Sequence, residues 1–167
     1  MHIDTFAGDI VDAPAEALCT STNPRLSLMM GTGGSVRDRG GFEVLRECET
    51  ILAGKTLPPG SVVKTSAGRL PHQAIFHCVA SDAHHHSSSA IIRTCVVNAL
   101  AAADAAGCKT LAMPVFATGH AHFRFRDALS VMRDALREAK TAVERVVVVV
   151  RDDDWKEDAE QILASTS

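Results

Sequence analysis

The chain has 167 residues, 46% of them hydrophobic, with 17 Lys and Arg set against 20 Asp and Glu. That length supports one domain with a proper core, expected over residues 1–167, and is short for two. A net charge of −3 gives no general pull toward nucleic acid or an anionic membrane, and no apolar run approaches a membrane span.

In chain order, a short strand precedes Gly8-Asp9-Ile10, and a strand-like run from Ala15 to Thr20 leads to Asn23. Next comes a glycine-bearing loop, Gly31-Thr32-Gly33-Gly34-Ser35-Val36, and then the Gly40-Gly41 pair ahead of a helix over Phe42 to Ala53. Pro58-Pro59-Gly60 reads as a turn. Val62 to Ala67 and Ala74 to Ala80 are short apolar runs that read as strands. His84-His85-His86-Ser87-Ser88-Ser89 looks like an exposed connection. Ile92, Val96, Ala99 and Ala103 then recur at helical spacing between Ser88 and Ala106, with Gly107 as the stop.

The strand Thr110 to Phe116 leads into a second glycine-bearing loop, Ala117-Thr118-Gly119-His120. Leu129, Met132, Leu136 and Ala139 mark the following helix. Arg145 to Val150 carries five consecutive valines, the pattern of a strand covered on both faces. Asp154 and Glu157 resemble a capping box for a last helix bearing Trp155, Ala159, Ile162 and Leu163. Alternation of this kind predicts a three-layer α/β/α sandwich around a mixed, largely parallel sheet.

On such sheets ligands bind beyond the carboxyl ends of strands, where both glycine loops fall. Glycine lets main-chain N–H groups approach an anion, and two such loops suggest a ligand with two phosphates. Neither loop carries the Lys-Ser/Thr ending of a P-loop or the spacing of a dinucleotide-binding turn.

Taken in order, five segments resemble a macrodomain, the ADP-ribose-binding module: Gly8-Asp9-Ile10, Asn23-Pro24-Arg25-Leu26, Gly33-Gly34-Ser35-Val36, Ile75-Phe76-His77-Cys78-Val79, and Leu111 through Gly119. Arg39-Gly40-Gly41 looks more like the macro-histone type than the hydrolytic branch. The resemblance implies that Asp9, beside Ile10, accepts from the adenine amino group and that Asn23 bonds the distal ribose. It implies that the backbone of Gly33, Gly34, Ser35 and Val36 and of Thr118, Gly119 and His120 holds the diphosphate. Arg151 stands where relatives place an aromatic against adenine, and a guanidinium plane also stacks on a base.

Two departures bear on activity. Hydrolytic relatives carry an acid directly after the first-loop valine; here that position is Arg37, with Asp38 one residue later. Ala121 and His122 replace an aromatic and a glycine of the second loop. Binding of ADP-ribose, free or on a modified macromolecule, is therefore the leading expectation. A mono-ADP-ribosyl or O-acetyl-ADP-ribose hydrolase is the alternative, with Asn23, Asp38 and His120 as candidate catalytic residues. A degenerate module binding RNA or protein is a third reading.

No cofactor and no metal is expected, because no Cys or carboxylate spacing accompanies the histidine run. His77 reads as a core histidine bonded to backbone. Met1 to Thr22 lacks the order of a signal peptide, and the five cysteines are odd in number, widely spaced and set in apolar surroundings. Buried reduced thiols in a cytoplasmic protein are expected, with no membrane association.

Overall fold

The computed structural model describes residues 1–165. Six strands form one sheet: β1 (His2–Ala7), β2 (Ala17–Thr22), β3 (Val62–Thr65), β4 (Ala74–Val79), β5 (Thr110–Pro114) and β6 (Arg145–Val150). Their spatial order is β1-β6-β5-β2-β4-β3, parallel throughout except for β3 against β4. Helices α1 (Gly31–Gly40) and α2 (Phe42–Leu52) lie on one face. Helices α3 (Ser89–Ala105), α4 (Phe125–Glu138) and α5 (Asp153–Ala164) lie on the other. The three-layer sandwich is the one that the alternating pattern predicts.

The valine run shows why the sheet is covered on both sides. Val146, Val148 and Val150 join the core beneath α3, α4 and α5, while Val147 and Val149 join the core beneath α1 and α2. Burial of each such side chain is worth about 1.5–3 kcal/mol. All five cysteines are buried and free; loss of water pushes the Cys48 thiol up to about 11 and that of Cys95 to about 12.

Local chemistry moves some element ends from their expected places. The second strand runs Ala17–Thr22 rather than from Ala15 to Thr20. The fifth strand stops at Pro114, which has no N–H to continue a ladder. Ser88 caps α3 as expected, accepting from Ile91 N at 3.2 Å. The last helix is capped by Asp152, which accepts from Trp155 N at 3.2 Å, so Asp154 is not its cap. Asp153 and Asp154 instead sit in its first turn, where the helix dipole favours carboxylates.

His77 is fully buried on β4, and its partners are side chains rather than backbone. Thr20 Oγ1 lies 2.9 Å from Nδ1, and Thr65 Oγ1 lies 2.9 Å from Nε2. Backbone groups on a paired central strand are consumed by the ladder, so hydroxyls on the flanking strands β2 and β3 supply the partners. Burial holds His77 neutral, with its pKa lowered to about 4.

One parting in the sheet positions the site. Between β2 and β5 only two residue pairs stay in register, Ala17 with Leu111 and Leu18 with Ala112. Beyond them the carboxyl ends diverge. This is also where the chain reverses its direction of travel across the sheet, the switch point at which open α/β sheets bind ligands.

Candidate functional site

A cleft of about 970 Å³ opens above the diverging ends of β2 and β5 and reaches β6 on one side and β4 on the other. That volume is at the upper end of the range for small-molecule sites. Side-chain hydroxyls replace the lapsed ladder at its floor. Ser21 N donates to Thr32 Oγ1 and Ala117 N donates to Ser21 Oγ, each at 3.2 Å. These two bonds tie the start of α1 and the segment after β5 to the same strand.

The start of α1 is one wall. No side chain caps it, and no acid lies in its first turn. Its first helical bond is Gly34 N to Met30 O at 3.1 Å. Among the described residues, the amides of Gly31, Thr32 and Gly33 therefore have no partner within the protein. An uncapped N-terminus of a ten-residue helix presents donors and a positive dipole end to an anion.

The opposite wall is the segment after β5. Phe123 N bonds Ala117 O at 3.0 Å, His122 N bonds Gly119 O at 2.9 Å, and Thr118 Oγ1 bonds Val115 O at 2.8 Å. These bonds curl the segment so that the amides of Thr118, Gly119, His120 and Ala121 have no partner among the described residues. Ala117 and His122 take left-handed backbone, at φ +63° and +50°. Two sets of such amides, those of Gly31 and Thr32 and those of Thr118 to Ala121, thus belong to residues that line one cleft.

Asp9 and Arg151 stand at the β1–β6 end. Asp9 Oδ1 caps a short 3-10 turn, Ile10–Asp12, accepting from Val11 N at 3.1 Å, which leaves its second oxygen without a partner among the described residues. Trp155, from the first turn of α5, packs edge-on to Phe125 beside them. Asn23 stands toward β4. Its Oδ1 accepts from Arg25 N at 3.0 Å and Ser27 N at 3.3 Å, which spends the carbonyl on the turn and leaves the amide donors without a partner among the described residues.

Of the residues singled out from sequence, Asp9, Ile10, Asn23, Ser35, Thr118, Gly119, His120, Ala121, His122 and Arg151 line the cleft. Gly33, Gly34 and Val36 do not. The expected first loop is helical from Gly31 onward, and these three residues turn inward. A Cβ on Gly33 would stand 3.0 Å from Leu28 Cα, so the glycine permits the approach of the preceding segment. Gly31 and Thr32 take the place at the cleft expected of Gly33, Gly34 and Val36, and Ser35 stays there as expected. Asp38 also lies outside: it is exposed and holds the Arg37 guanidinium at 2.7 and 2.8 Å.

Sequence reading missed Met29, Met30, Phe125 and Trp155 on the rim, and His85 within the histidine run. The usable signal was the carboxyl-end rule itself. Applied to β4 and β6 as well as to the glycine loops, it marks the segments that hold His85 and Trp155.

Among known proteins, a family model described as the Macro domain matches residues 19–132. A macro domain-containing protein of Streptomyces coelicolor is 31% identical over 154 residues, covering 90% of this chain and 91% of its own length. An O-acetyl-ADP-ribose deacetylase of Citrobacter rodentium is 31% identical over 121 residues, covering 71% of this chain and 68% of that protein. Among solved structures, an Oceanobacillus iheyensis macrodomain mutant with ADPR matches with a TM-score of 0.89 at 22% identity, covering 96% of this chain and 91% of the other. A Trypanosoma brucei macrodomain in complex with ADP-ribose matches with a TM-score of 0.79 at 21% identity, over 97% of this chain and 67% of the other. At those identities the structural likeness speaks for the fold.

Proposed function

The chain belongs to the macro domain family, and from that premise we propose that it binds ADP-ribose, free or carried on a modified macromolecule, in the cleft above β2 and β5. The observation that carries this reading is the pair of opposed amide sets that have no partner among the described residues, Gly31 and Thr32 on one wall and Thr118–Ala121 on the other. A pyrophosphate between them receives main-chain donors from both sides without any lysine. The free oxygen of Asp9 then accepts from the adenine amino group, with Arg151 and Trp155 on the base. Asn23 Nδ2 donates to the distal ribose at the β4 end. One macrodomain over residues 1–167 would hold this single nucleotide site.

A second reading, hydrolysis of O-acetyl-ADP-ribose or a mono-ADP-ribosyl bond, has one observation in its favour: the name carried by the Citrobacter rodentium relative. Asp38 contributes nothing to it, because its side chain points away and pairs with Arg37. His120 is the candidate proton carrier that does line the cleft. The macro-histone subtype is supported only by Arg39-Gly40-Gly41, a tripeptide with other employment here. Arg39 forms a two-pronged pair with Asp12 at 2.8 and 2.7 Å. RNA has weak support, since Arg151 is the only Lys or Arg lining the cleft among the described residues.

Calorimetry with ADP-ribose, ADP, AMP and a short adenosine oligomer tests the leading reading. Micromolar binding of ADP-ribose, weakened by Asp9→Ala, is the expected result. Tighter binding of the oligomer would overturn it. Incubation with mono-ADP-ribosylated protein, with Asn23→Ala as control, tests the second reading through release of label.

A further inference from the structure

The histidine run after β4 reaches the cleft at one point. Asp82 closes the loop on itself: its Oδ1 accepts from His84 N and His86 N at 2.8 Å each, and its main chain bonds His85 N and His86 O at 3.2 and 2.8 Å. At the tip His85 takes left-handed backbone, φ +61°, uncommon outside glycine. Its ring lies 5.5 Å from that of His120, centroid to centroid, tilted by 38°. Both rings line the cleft, one from each of the segments that follow β4 and β5.

The charges around this pair are few. The titratable groups lining the cleft are Asp9, His85, His120, His122 and Arg151, and Asp9 and Arg151 stand at the far end. On the loop after β4, Asp82 is engaged with His86, 3.7 Å from its Nδ1, and the rings of His84 and His86 lie 6.4 Å apart. At the start of α4, Arg124, the residue before the helix, pairs with Asp127 at 3.7 Å. The segment from β2 to α1 lines the cleft with no titratable side chain. Among the described residues, Asp9 at the far end is the one carboxylate that lines the cleft. Histidine is the side chain whose charge ordinarily changes near neutrality. Two adjacent rings oppose double protonation, and a bound dianion favours the charged form.

We infer that His85 and His120 form a proton-accepting pair that takes up a proton when a diphosphate enters the cleft, so that affinity rises as pH falls. The inference rests on the ligand reading above and goes beyond it by assigning a role to His85 and a proton linkage to the site. Because linkage is reciprocal, one proton taken up per ligand strengthens binding by up to about tenfold for each pH unit lowered.

The test is calorimetry of ADP-ribose and of ADP at pH 7.5 and 6.5, each in two buffers of different ionisation enthalpy. The expected result is net proton uptake for both ligands, with Kd lower at pH 6.5 by roughly three- to tenfold. The double variant His85→Gln, His120→Gln abolishes the uptake and flattens the pH dependence, whereas His84→Gln, outside the cleft, retains both. Binding with no proton uptake, or uptake that persists in the double variant, overturns this inference and leaves the ligand reading standing. Failure of the unaltered chain to bind either nucleotide overturns the ligand reading and this inference with it.

Discussion

Trp155 meets Phe125 edge-on, with ring centroids 4.4 Å apart and 66° between the planes, on the side of the cleft that also holds Arg151. The chain has one Trp and no Tyr, so its intrinsic fluorescence reports on this corner alone. Trp155 is 38% exposed, enough for a base to cover. Titration with ADP-ribose is expected to change its emission, and ribose 5-phosphate is expected to leave it unchanged. Trp155→Ala weakens ADP-ribose binding by about 1–3 kcal/mol, the usual worth of a base stacked on an aromatic ring. Unchanged affinity in that variant would place the base elsewhere.

Asp9 has two separable tasks. Its Oδ1 caps the turn at Ile10–Asp12, and its other oxygen has no partner among the described residues. Asp9→Ala is expected to cost about 1 kcal/mol of stability through loss of the cap, and to weaken ADP-ribose binding as well. Asn caps nearly as well as Asp, so Asp9→Asn keeps the melting temperature while replacing a carboxylate acceptor with an amide. Melting curves and calorimetry on the two variants separate the tasks; equal loss of binding and stability in both would leave Asp9 with the cap alone.

Gly33 and Gly34 differ in the room around them. A Cβ at Gly33 meets Leu28 Cα at 3.0 Å, whereas at Gly34 the nearest atom is Met29 O at 3.4 Å. Gly33→Ala is expected to destabilise by about 1–3 kcal/mol, as overpacking does, and to weaken ligand binding by shifting the first turn of α1. Gly34→Ala is expected to leave the melting temperature unchanged or raised, since alanine is the better helix former. Thermal melts of the two variants give the comparison.

His77 makes the fold acid-sensitive in a defined window. Its folded pKa of about 4 lies below its ordinary 6.5, so the unfolded chain binds the proton first as pH falls. Stability from this source is full well above pH 6.5 and declines progressively toward pH 4. Between about pH 7.5 and about pH 5 the loss is about 2 kcal/mol. His72, also lowered by burial, adds in the same direction. Asp4, Asp12 and Asp82 are lowered by their partners, and their contribution is lost only at more acid pH. Urea unfolding at pH 7 and pH 5 is expected to show the decline. It should be smaller in His77→Gln, which is less stable at pH 7 but has no imidazole to charge.

Sequence alone determined the layers, since apolar periodicity reports burial and burial is local to each element. The valine run, the α3 stripe and the α4 stripe from Leu129 to Leu136 sit where their spacing puts them, while Ala139 falls just past the end of α4. It also determined most of the cleft: Asp9, Asn23 and the segment Thr118–His122 stand together because the carboxyl-end rule depends on strand direction, which the alternating pattern implies. What only the tertiary structure decided was which way each side chain turns. Gly33, Gly34 and Val36 are consecutive in kind with Gly31 and Thr32, yet helical rotation sends the first three inward and the others to the cleft. Asp38, one residue past Arg37, is carried off the cleft and onto its neighbour. His85 and His120 are 35 positions apart, and nothing short of the pairing of β2 with both β4 and β5 brings their rings together.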